Sequence, residues 1–170
     1  MFWKRKKPEP VKTQEEPLFR NIRADDQEMR LAHAMAANTV GDFVEHIRRP
    51  GEHTCAAKLR FRDPHLSEEL GEDRFLFMWL TAVELSSDAN ELSGAFFEVP
   101  KEMLEWHSPG QRLYFERGDI FDWFVNDAGS LYGGFTLRVT RSQLPVDERA
   151  VFDEYTGVKH WVTCPTTEIS

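Results

Sequence analysis

Ten residues from Phe75 to Glu84, FLFMWLTAVE, are apolar at nearly every position. A helix could carry such a run. Its shortness, its aromatic residues and its acidic, glycine-containing flanks predict a central β-strand covered on both faces. The cover is supplied upstream. Ala32, Met35, Ala36, Thr39, Val40, Phe43 and Ile47 recur at intervals of three and four, which predicts one helix over residues 25–47 with a single apolar stripe. Asp25 and Glu28 have capping-box spacing, and Arg49-Pro50-Gly51 ends the element. The period then falls to two. Ala57, Leu59 and Phe61 alternate with Lys58, Arg60 and Arg62, as in a strand with one buried face.

Further strands are predicted after the central run. Asp88-Ala89-Asn90 reads as a turn, LSGAFFEVP as a returning strand, and residues 113–116 as the next. Gly118-Asp119 breaks the chain before residues 120–125, where Ile120, Asp122 and Phe124 should share one face and Phe121, Trp123 and Val125 the other. Asn126 to Gly129 turns the chain into a last long strand over residues 131–140. A short helix follows at residues 147–155. No repeated crossover helices separate these strands, which argues against a doubly wound α/β sheet. The expected fold is α+β: a long N-terminal helix packed on a strongly curved, mostly antiparallel sheet of five or six strands, with a short C-terminal helix. Residues 1–20, proline-rich and charged, read as a flexible arm, residues 21–157 as one domain, and residues 158–170 as an edge strand or mobile tail.

The net charge of −8 argues against general nucleic-acid binding. The basic start, Lys4 to Lys7, is followed by no apolar run, so neither an export signal nor stable membrane insertion is expected. A cytoplasmic location follows, with Cys55 and Cys164 as reduced thiols. Thirteen Phe and five Trp suit an aromatic core or an aromatic ligand groove.

Gly133-Gly134 interrupts the last strand pattern. The pair lacks the spacing of a phosphate loop, and it permits a bend, a bulge or a close backbone approach. Around it, Gly118-Asp119, Asp122-Trp123 and Gly133-Gly134-Phe135-Thr136-Leu137-Arg138 form a signature, with Gly94, Phe96 and Pro100 upstream. This pattern resembles the bacterial YegJ-like family, a domain of unknown function, over roughly residues 24–145. The resemblance implies no reaction. It marks Gly94, Gly118, Trp123, Gly133, Gly134 and Phe135 as signature positions.

Asp119 and Asp122 can share a proton or bind a hard cation, or can accept backbone hydrogen bonds in a turn. Trp123, Tyr132, Thr136 and Arg138 can line a groove. Arg138 can pair with Asp122 across the hairpin or hold a carboxylate. The six histidines and two cysteines lack metal-ligand spacing, and no nucleophile motif is present. No cofactor or metal is therefore expected. The leading expectation is a non-catalytic binding or interaction module with a protein partner. An enzyme with an Asp/Arg/Thr site on the sheet is the alternative, and a purely structural signature is a third reading. Trp123 is expected in the core, beneath Met35, Val40 and Phe43.

Overall fold

The computed structural model describes residues 27–87 and 90–163. The proposed arm, the Asp25 cap, most of the Asp88-Ala89-Asn90 turn and Cys164 lie outside these residues. Seven strands form one mixed sheet in the order β4-β3-β2-β1-β5-β6-β7. They are β1 (Thr54–Arg62), β2 (Phe75–Leu85), β3 (Glu91–Phe96), β4 (Arg112–Glu116), β5 (Ile120–Asp127), β6 (Ser130–Gly133) and β7 (His160–Trp161). Neighbours are antiparallel except β6 and β7, which are parallel. The helices are α1 (Gln27–Asn38), α2 (Val40–Arg48), α3 (Pro64–Leu70), α4 (Phe135–Gln143) and α5 (Val146–Thr156).

The apolar run lies in β2, between β1 and β3, and its two faces feed two cores. Met78 and Leu80 join Ala36, Phe43, Val44, Trp123 and Phe135 on the α1–α2 side. Trp79 joins Ala56, Leu137, Leu144 and Phe152 on the α4–α5 side. Over Met78–Leu80 the strand is buried on both faces and has no position left for polar alternation, while Phe75 at its start is exposed.

The expected single N-terminal helix is two helices, broken at Thr39. Thr39 Oγ1 donates to the Met35 carbonyl at 2.7 Å and accepts from the Trp123 indole Nε1 at 3.1 Å. A hydroxyl bonded back to the preceding turn bends a helix, and here the bend brings Phe43 onto Trp123, ring centroids 5.2 Å apart. Trp123 is buried as expected, but Met35 is not part of its cover and is 40 % exposed. Thr39→Val keeps the shape and strands the indole N–H. A loss of about 1–3 kcal/mol is expected from urea denaturation. An unchanged midpoint would show that the hydroxyl bridge contributes nothing.

The last long strand is the larger correction. β6 stops at Gly133, and residues 135–143 form α4. Gly133 and Gly134 have φ of 70° and 65°, so two successive left-handed residues turn the chain out of the sheet and into a helix.

Candidate functional site

The β1–β5 register sets Lys58 opposite Asp122. Asp122 is fully buried. Its Oδ1 accepts from the backbone N–H of Trp123 at 2.8 Å and of Phe135 at 3.1 Å. Its Oδ2 accepts from the Thr136 N–H at 2.8 Å and the Thr136 hydroxyl at 2.5 Å. The Phe135 and Thr136 amides open α4, whose cap position is Gly134, a residue with no side chain to offer. A sheet aspartate therefore caps the helix, satisfying orphan amides and favouring the positive helix end. All four bonds are donated to the carboxyl, the acceptor pattern of an ionised group. Burial pushes its pKa above the ordinary value, and Lys58 with the bonds from Thr136 and Trp123 pulls it back.

Lys58 is equally enclosed, 5 % exposed. Its ammonium donates to Thr136 Oγ1 at 3.2 Å and lies 4.8 Å from the Phe77 ring centroid. Thr136 thus accepts from the lysine and donates to the aspartate. Burial lowers the Lys58 pKa to about 8, against the pull of Asp122. His33 of α1 packs on Phe77 and Phe121 at 5.3 and 5.5 Å. Burial and the nearby Lys58 lower its pKa to about 4, so the ring is neutral at pH 7.

Outward from Lys58 the same sheet face opens. Arg60 is paired with Phe77, and Arg62 with Phe75. The Arg60 guanidinium sits over the Phe75 ring at 4.3 Å and the Phe121 ring at 5.3 Å. Phe121 reaches this face through a bulge. Lys58 opposes Asp122 while Leu59 opposes Ile120, leaving Phe121 unpaired between them. This corrects the simple alternation. Ile120 turns into the α1–α2 core, and Phe121 leaves the Trp123 face. The core residues of α4 and α5 contact the Ala56–Trp79 half of the face, while Phe75 is 45 % exposed.

The remaining signature residues do not converge on Asp122. Asp119 lies in a 3₁₀ turn, where its Oδ2 accepts from the Glu116 N–H at 2.9 Å. Arg138 does not pair with Asp122. Its Nε donates to the Gly133 carbonyl at 2.8 Å and its Nη2 to the Leu131 carbonyl at 3.2 Å, and the guanidinium lies 5.4 Å from the Trp161 ring. The reason is the helix: once residue 135 starts α4, Arg138 points back over β6 instead of across a hairpin. Tyr132 packs on His46 at 4.6 Å. Gly94 marks a close approach, since a Cβ there would lie 2.9 Å from Leu80 Cβ. Gly118 lines an open cleft of about 270 Å³ with Ala37, Val40, Gly41, Arg117 and Ile120. Phe135 is buried against Trp123. Burial also raises the Cys55 thiol to about 11, keeping it a protonated apolar filler.

Lys58 and Arg60 escaped the sequence reading because both occupy the polar half of an alternating strand. That pattern is the same for a solvated lysine and for one folded over by a helix. Among the described residues no three His, Cys, Asp or Glu side chains gather as a metal site would require. No described helix is long and apolar enough to cross a membrane.

A family model described as an uncharacterised protein conserved in bacteria (DUF2314) matches residues 26–160. No curated protein and no solved structure matches the chain. With that span covered, the chain belongs to this bacterial family.

Proposed function

We propose that this DUF2314 chain is a cytoplasmic, non-catalytic binding module whose protein partner docks on the open half of the sheet face, at Arg60, Phe75, Phe77 and Phe121. The observation that carries the reading is Phe75, 45 % exposed on a strand surface with Arg60 stacked on it. Aromatic and arginine side chains dominate the energetics of protein interfaces, and exposed apolar surface on a sheet marks contact. The YegJ-like signature then has a supporting role. Asp122 and Thr136 lock α4 to β5, Arg138 and the glycine pair shape the turn between them, Asp119 holds a neighbouring turn, and Tyr132 packs β6 on His46. The acceptor sites of Asp122 are committed to four donors, which favours binding over acid–base chemistry there.

The test compares tagged full-length chain with the Phe75→Ser/Arg60→Glu variant in native extract at low salt. Both proteins must melt at the same temperature. A stoichiometric protein retained by the wild type and lost by the variant is expected. Equal recovery by both would remove this face from the function.

A further inference from the structure

We infer that the exposed Arg60–Phe75 end of this sheet face takes an extended acidic segment of a partner protein, with Arg60 gripping an Asp or Glu side chain and Phe75 holding an apolar neighbour. The inference rests on the binding reading above and names its ligand class. The Arg60 guanidinium carbon lies over two rings, Phe75 at 4.3 Å and Phe121 at 5.3 Å. Its N–H groups lie in the plane, so a stacked guanidinium still offers its fork edge-on to a carboxylate. Arg60 makes no ion pair or hydrogen bond among the described residues.

Nearby carboxylates are already engaged. Asp73 pairs with Arg62 at 2.8 Å, Glu72 pairs with Arg74, and Asp122 is enclosed with Thr136. A chain of net charge −8 therefore carries an uncompensated guanidinium on an apolar surface, with the Lys58 ammonium below it. A carboxylate supplies the missing charge. An apolar residue beside it fits the exposed Phe75 ring on β2, next to Arg60 on β1. The acidic balance of the whole chain disfavours the alternative polyanion, single-stranded nucleic acid, which needs many cations along its backbone.

A phage-displayed library of random dodecapeptides, panned on the full chain, supplies the probe. Enriched peptides should carry Asp or Glu within two residues of an aromatic or aliphatic side chain. The leading peptide, fluorescein-labelled, is then measured by anisotropy. Loss of one charge-assisted contact should weaken binding by about tenfold or more, whether by Arg60→Gln or by Glu→Gln in the peptide. Arg60→Lys should recover only part of it, and Phe75→Ala should weaken both peptides. Binding that falls with Phe75→Ala but ignores Arg60→Gln and the peptide charge overturns the acidic-segment inference and leaves the binding face intact. Binding indifferent to all the face variants overturns both. Displacement of the peptide by oligothymidylate at physiological salt, or by self-association that Arg60→Glu abolishes, would name a different occupant and also overturn the inference.

Discussion

Asp122→Ala is expected to destabilise the protein by about 3–5 kcal/mol, the usual result of removing one partner from a buried charge pair. The substitution does two separate harms. It leaves the Lys58 ammonium in a dry interior with the Thr136 hydroxyl as its hydrogen-bond acceptor. It also strips the Phe135 and Thr136 amides of their acceptor at the start of α4. The urea midpoint should fall sharply while the slope holds. Adding Lys58→Met removes the stranded charge, so the double variant should recover part of the loss. The capping share remains, because methionine offers those amides no acceptor. An Asp122→Ala shift under about 1 kcal/mol would deny the aspartate its place as the link between sheet and helix.

The same pair sets a pH signature. Lys58 titrates near 8 in the native protein, below its ordinary 10.5. Between those values the unfolded chain holds a proton that the native state has released. The unfolded state binds more protons there, so this group makes stability rise with pH across that window. Below about pH 8 both states are protonated, and the contribution is flat. Lys58→Met should erase the rise. Urea midpoints for wild type and variant, compared at about pH 7 and about pH 10, read the difference directly and cancel the titrations common to both.

The layered α+β plan was legible because period is a backbone property. The run in β2 survives at Met78–Leu80, which is buried on both faces, but the alternation in β1 marks a single buried face only beyond Leu59, because Cys55 to Leu59 are all buried and Lys58 with them. The helix stripe was legible in the same way, but its break was not. Thr39 is an acceptable apolar-face residue in a continuous helix, and only the indole of Trp123, 84 positions away in sequence, makes its hydroxyl a hinge. Residues 131–140 misled for a related cause. Leu131, Phe135, Leu137 and Val139 fit a period of two, and the glycines between them removed the side chains that would have shown a change of period. The core position of Trp123 was recovered in spite of the neighbouring bulge, because the bulge lies between Asp122 and Ile120 and shifts only Phe121 and Ile120. The candidate site was legible as a set of marked residues and not as a geometry. Asp122 and Thr136 do meet, but the partners that give them meaning are Lys58 across the sheet and two backbone amides. Neither carries a motif.

Gly133→Ala should be the most damaging single-methyl change in the chain, and much worse than Gly134→Ala. Both glycines have positive φ, so each alanine carries the left-handed penalty of about 1–2 kcal/mol. Their surroundings differ. A Cβ on Gly133 would fall against the Trp123 carbonyl oxygen and 2.7 Å from the ring atom Cε3. That carbonyl already accepts the Gly134 N–H at 2.7 Å, and the ring is held by Phe43, Phe135 and the Thr39 hydroxyl. Neither can retreat without breaking the turn or the core, and overpacking of that kind costs about 1–3 kcal/mol more. A Cβ on Gly134 would meet the Leu131 methyl Cδ2 at 2.8 Å, the end of a side chain that can change rotamer. The expected totals are about 2–5 kcal/mol for Gly133→Ala and about 1–2 kcal/mol for Gly134→Ala. Asparagine at 134, which tolerates left-handed backbone, should be milder still. Equal losses at the two positions would mean that φ alone matters there. The carbonyl of Trp123 would then have no part in placing α4 over Asp122.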